Sequence, residues 1–197
     1  MRKLSTYHLL MLIALPLSNA VAEEKAAEDD AAKYEATIKA FKEAGESGAF
    51  FDSAYGYAVF PNIGKGGVGI GGAIGKGRVF RQGAWVGNSS MVQLSIGFQL
   101  GGQVYSMMIF LEDERAFNEF TSGNFEFAAQ ATAVAITAGA SAAATTKGSS
   151  AGISGGRGTA GTVGAYTKGM ATFTIARGGL MYEAALAGMK FNYKPRK

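Results

Sequence analysis

Cysteine is absent from this 197-residue chain, and its single histidine, His8, stands close to the N-terminus. The first absence excludes disulfides, thiol nucleophiles and any redox role, so the fold must hold by apolar burial and hydrogen bonds alone. The second removes, beyond residue 8, the serine–histidine and cysteine–histidine nucleophile systems and the usual zinc ligand sets. Carboxylates remain, but Glu112, Asp113 and Glu114 crowd one helical turn, where a solvated, dipole-favoured face accounts for them. No enzyme, metal site or cofactor is expected, and the chemistry left is that of binding.

Long apolar runs are also missing. The run from Leu9 to Leu17 is too short to span a bilayer. Preceded by Arg2 and Lys3 and followed by Ala20-Val21-Ala22, it reads as a cleavable secretory signal over residues 1–22. A lipoprotein would need a cysteine after cleavage, so a periplasmic or secreted product is expected, possessing one domain over residues 23–197. The small residues of 128–144 carry too little hydrophobicity for a transmembrane helix and read instead as a closely packed strand beginning near Phe125 and Phe127.

Charge of one sign is scarce as well. Once Arg2 and Lys3 leave with the signal, 17 of the 19 basic residues face 15 acidic ones, and no nucleic-acid partner is expected. The acids Glu23, Glu24, Glu28, Asp29 and Asp30 gather at the mature start, while Lys190, Lys194, Arg196 and Lys197 gather at the end. Such a tail either frays in solvent or adsorbs to anionic headgroups.

What the chain has in abundance is glycine, 29 residues in all. Before the glycine-rich body, Tyr34, Ile38 and Phe41 recur at helical spacing within an Ala/Glu/Lys-rich segment, which predicts an amphipathic helix over 29–46. Ser47 is placed to cap a short further turn through Phe50 and Phe51. The β-rich body spans 54–193. Residues 54–61 read as a strand stopped by Pro61, and Gly64 to Gly77 as a strand with Val68, Ile70 and Ile74 on one face and nearly bare backbone on the other. Val92 to Leu100 alternates without a break, Val104 to Leu111 follows the turn at Gly101-Gly102, and a helix spans 112–120. Residues 145–164, with Arg157 near their middle, read as a loop, and two or three strands close the chain between Tyr166 and Tyr193, with turns at Gly178-Gly179 and Gly188.

Gly67 to Gly72 satisfies G-x-G-x-x-G, but no helix follows, so a dinucleotide fingerprint is excluded. Gly75-Lys76 leads to Gly77 and not to Ser or Thr, so the phosphate-loop pattern fails too. Lys65, Lys76, Arg78 and Arg81 near exposed glycine backbone and Trp85 suit an anionic headgroup and a lipid boundary; solvated turn lysines and a core tryptophan would look the same.

These segments resemble the SYLF domain, a lipid-binding module also known as an actin-binding domain in fungal members. The resemblance runs through AYGYAVFPNIGKGGVGIGGAIGKG (54–77), Gly83 and Trp85, SIGFQLGGQ (95–103), the helix bearing Phe117, and the closing YTKGMATFTI and GGLMYEAALAG. It implies phospholipid binding through basic residues and an N-terminal amphipathic helix. The chain departs from the family at Val86-Gly87-Asn88, where Ser-x-Pro is common after the tryptophan, and at Ser106, where aspartate is common. Actin is not an expected partner of an exported chain, and no protein partner is named.

The combined expectation is an α+β domain whose curved antiparallel sheet is flanked by two or more helices. Its expected function is non-catalytic binding of phospholipid or a membrane surface at the cell envelope, with Lys65, Lys76, Arg78 and Arg81 on headgroups and Trp85 and Phe98 as apolar contacts. Two rivals are a small outer-membrane β-barrel and an envelope scaffold with a protein partner.

Overall fold

The computed structural model describes residues 15–68, 70–96, 102–127, 132–136, 166–177, 184–186 and 188–197. Residues 1–14 of the expected signal, Phe98, the loop at 145–164 and the Gly178-Gly179 turn lie outside them.

The chain begins with helix α1 (Leu15–Glu43), followed by two single turns, α2 (Gly45–Gly48) and α3 (Phe50–Ser53). The helix therefore starts before the predicted residue 29 and runs through Ala20-Val21-Ala22. Tyr34 and Phe41 are buried, as their spacing requires, with Ile38 partly so. Ser47 does not cap the next turn: its hydroxyl is buried and donates to the Phe41 carbonyl at 2.6 Å, satisfying an acceptor that the end of α1 leaves open.

The body is one strongly curled sheet, built from β1 (Gly56–Val68), β2 (Ile70–Arg81), β3 (Ala84–Ile96), β4 (Gly102–Leu111), β5 (Phe125–Glu126), β6 (Thr132–Ile136), β7 (Met170–Arg177), β8 (Ala184–Ala185) and β9 (Met189–Pro195). Helix α4 (Glu114–Phe120) lies between β4 and β5. The strand order is β5-β9-β3-β2-β1-β4-β7-β6-β8, antiparallel except for β6 beside β7. The α+β expectation holds, and the parallel pair makes the sheet mixed.

Three local expectations are corrected. Pro61 does not stop β1; it sits in a bulge between Val59 and Asn62, where the ladder skips a position and a missing N–H costs little. Its carbonyl is used instead, accepting from the buried Ser106 hydroxyl at 2.7 Å. Val68 and Ile70 do not share one strand, because the chain reverses between them and they become cross-strand partners. The strand expected from Phe125 into the small-residue segment is two separate strands where it is described, β5 and β6, and residues 128–131 and 137–144 lie outside the described residues.

The basic tail is ordered: β9 pairs with both β3 and β5, and the Arg196 N–H donates to the Val86 carbonyl at 2.9 Å. Gln82 and Gly83, both at positive φ, join β2 to β3 in a tight two-residue turn. Helix α4 is capped by Asp113, whose carboxylate accepts from the Ala116 N–H at 2.7 Å.

Each face of the sheet has its own core. On one, Phe60, Ile63, Val79, Met91, Met107 and Phe191 pack beneath Phe117 and Phe120 of α4. On the other, Val59, Met108, Phe110 and Phe173 pack beneath Tyr34, Phe41 and Phe50 of the N-terminal helices. Full burial of each such side chain is worth about 1.5–3 kcal/mol. The Pro61 bulge shifts the parity of β1, so Tyr57 and Val59 share the helix face with Asn62 and Gly64, while Phe60 and Ile63 turn to the α4 face.

Glycines on the α4 face admit large neighbours. A Cβ at Gly77 would lie 2.6 Å from the Phe60 ring, and one at Gly75 would lie 2.8 Å from Ile63. The backbone is bare there because the Phe60 ring and the Ile63 side chain from the next strand lie across it.

Candidate functional site

The N-terminal helices cover only part of their face of the sheet. Beyond them the cross-strand register lines up Val104, Gly64, Ile74 and Val92, one from each of β4, β1, β2 and β3. The next row is Gly102, Gly66, Gly72 and Leu94. Directly opposed residues point to the same face, so four aliphatic side chains emerge among four glycines. Glycine neighbours screen nothing: Leu94 is 82% exposed and Ile74 70%, while Val92 and Val104 are also exposed. A Cβ at Gly64 would meet nothing within 4 Å. At about 4.8 Å per strand spacing, the first row spans roughly 14 Å.

The alternation of β3 is thus inverted relative to an ordinary half-buried strand. Gln93 and Ser89 are buried on the α4 face, and Val92 and Leu94 face outward. Lys76 borders the patch two residues along β2 from Ile74 and is itself exposed. At its other margin Lys190 lies opposite Val92 and pairs with Glu126 at 3.4 Å.

Of the described residues singled out from sequence, Lys76 alone adjoins this patch. Arg78 shares the face but is 14% exposed, and its guanidinium donates to Asp30 Oδ2 at 2.8 Å. It lies 4.2 Å from the centre of the Tyr34 ring and 4.0 Å from that of Trp85. The Tyr34 hydroxyl adds a long bond to the Lys76 carbonyl at 3.4 Å. Arg78 thereby clasps α1 to β2 and β3. Burial raises the Tyr34 pKa, Asp30 raises it further, and Arg78 opposes both.

Lys65 and Arg81 occupy the opposite face. Lys65 pairs with Ala73, which lies eight positions from Arg81 along β2, a separation of roughly 26 Å at about 3.3 Å per residue. The four cations form no single cluster, because β1 and β2 are separate strands of a hairpin whose alternate residues diverge.

Trp85 reaches the α1 side through a bulge at Val86, which lets it pair with Phe80. Its indole N–H donates to the Gly87 carbonyl at 2.9 Å, and Arg196 lies 4.2 Å from its ring centre. Beside it opens a cleft of about 480 Å³, whose lining includes Arg81, Phe117, Tyr193, Arg196 and Lys197 and no acidic side chain. The Tyr193 hydroxyl donates to the Val86 carbonyl at 3.1 Å. Burial pushes its pKa up while the positive charge of Arg81 pulls it down.

Sequence reasoning missed the exposure of Ile74, Val92, Leu94 and Val104, and the part played by Tyr193 and Arg196. The available signal was the density of glycine at alternate positions, which leaves neighbouring aliphatic side chains without cover whenever strands pair in this register.

Residues 92–194 match the family described as Ysc84, Las17-binding protein actin regulator. The chain is also 27% identical over 166 residues to Beta cell expansion factor A of Aeromonas veronii, a match covering 79% of this chain and 52% of that protein. The chain thus spans about half the length of that relative. With a match extending over more than half of its length, including β4, α4, β7 and β9 as far as Lys194, the chain belongs to the Ysc84 family of SYLF domains.

Proposed function

We propose that this protein is an exported, non-catalytic phospholipid-binding protein that acts at the cell envelope. The observation that carries the reading is the uncovered sheet face, where Ile74, Val92, Leu94 and Val104 project among glycines beside Lys76. Moving such aliphatic groups from water into the acyl boundary is worth about 1–2 kcal/mol each, and a lysine near an anionic surface adds about 1 kcal/mol. The total supports reversible adsorption, well short of the permanence of a spanning helix.

Export is supported by the signal-like residues 1–22. Cleavage after Ala22 is compatible with the fold: the described α1 side chains that fasten to the sheet, from Asp30 through Tyr34 to Phe41, all lie beyond it. The family description names Las17 and actin, but an envelope location favours the membrane over either. The domain's outer edges, β5 and β8, are not paired with each other among the described residues, and helices occupy part of its outer face, which favours a peripheral domain over a closed barrel.

Co-sedimentation with vesicles tests the reading. The protein should pellet with phosphatidylglycerol vesicles, less with phosphatidylcholine, and less again at high salt. An Ile74→Asp/Leu94→Asp variant that folds normally should stay in the supernatant. Equal pelleting of that variant removes the patch from the account, and no pelleting with any vesicle favours a protein partner.

A further inference from the structure

We infer that the cleft between Arg81, Trp85, Tyr193 and Arg196 is a second binding site, separate from the apolar patch, and that it takes a phosphomonoester. Two arginines elsewhere in the described structure have carboxylate partners: Arg78 pairs with Asp30, and Arg115 with Asp113 and Glu119. Among the described residues Arg81 and Arg196 have no acidic side chain as partner, and both line the cleft. Two guanidinium groups gathered without an acidic side chain between them repel one another, so an anion entering the cleft relieves repulsion as well as gaining attraction.

The donors are held in place before any anion arrives. Arg81 ends β2 at the tight Gln82-Gly83 turn, with its guanidinium 5.8 Å from the centre of the Phe117 ring. Arg196 is fixed by its main-chain bond to Val86 and by the Trp85 indole. Two planar guanidinium forks suit the several acceptor oxygens of a phosphate dianion. The Trp85, Tyr193 and Phe117 rings supply apolar walls for the organic part of an ester.

This site lies at the other end of β3 from the patch, with Trp85 and Val92 seven positions apart, so the two need not engage the same surface. The phosphomonoester can come from a lipid headgroup or from a soluble ester.

Trp85 is the single tryptophan of the chain, so its emission reports directly from the cleft. Titration with glycerol 3-phosphate at constant ionic strength should change that emission saturably, while sodium chloride should not. Calorimetry on Arg81→Gln and Arg196→Gln should show affinity reduced at least tenfold, with Lys39→Gln unchanged because that lysine stands on the exposed flank of α1, where it pairs with Glu43. The proposal is overturned by an emission change that chloride reproduces, by no change up to tens of millimolar, or by either arginine variant binding as the parent does. A soluble short-chain phosphatidate separates the sources: tighter binding than glycerol 3-phosphate assigns a lipid headgroup, and equal binding assigns a soluble ester. Since no vesicle enters this experiment, its failure is distinguishable from failure of the membrane reading.

Discussion

The guanidinium carbon of Arg78 lies 4.0 Å from the centre of the Trp85 ring, and the same group holds Asp30 of α1 at 2.8 Å. A cation that resembles a headgroup ligand in the sequence is thus committed inside the fold. Its stem and charge join three segments that are remote along the chain: the N-terminal helix, the end of β2 and the start of β3.

Replacing Arg78 with alanine should destabilise the protein by about 2 kcal/mol, since it removes two cation–ring contacts, an ion pair and the cover of a long side chain. Asp30→Asn should cost only about 0.5–1 kcal/mol, because Asp30 is 46% exposed and water screens the pair. Urea denaturation of the two variants checks the ratio. Equal, negligible effects would show that the clasp does not hold α1 to the sheet.

Two glycines of the same hairpin should respond in opposite ways. Gly77→Ala forces the Phe60 ring aside and should cost about 1–3 kcal/mol. Gly64→Ala opens onto empty space and should be neutral or stabilise by up to about 1 kcal/mol through the entropy of the unfolded chain. Denaturant midpoints compare them directly.

Alkaline pH should weaken the fold through Tyr105. Burial raises its pKa from 10.0 to about 12, so the native state keeps a proton that the unfolded chain releases. The stabilisation is present in full below pH 10 and is lost as pH rises through about 12, an effect on the order of 2–3 kcal/mol. Tyr34, Tyr57, Tyr166 and Tyr193 are raised as well and act with the same sign. Thermal midpoints from pH 9 to 12 should fall, and Tyr105→Phe should flatten the slope.

Element types were legible because they depend on local pattern. The spacing of Tyr34 and Phe41 marks a buried helix stripe, the acidic turn Glu112-Asp113-Glu114 marks the start of α4 to within two residues, and the alternation at Val92–Gln93–Leu94 marks a strand. Which side of a strand faces the core is not local. It depends on neighbours in space, and at β3 those neighbours bury Gln93 and expose Leu94. The Pro61 bulge escaped for the same reason, since only the partner strands reveal that a position has been skipped. The basic residues from 65 to 81 look like one cluster in the sequence; the reversal between Val68 and Ile70 and the pleat of β2 send them to two faces.

The central claim, that the uncovered face meets lipid, is tested most directly by placing a probe on it. Because the chain has no cysteine, Leu94→Cys and Gln82→Cys each provide one labelling site, the first in the patch and the second on the exposed β2–β3 turn. A solvatochromic dye at 94 should brighten and shift to the blue on phosphatidylglycerol vesicles, while at 82 it should not respond. A silent dye at 94 on vesicles that demonstrably bind the protein, or a response at 82 alone, would contradict the account.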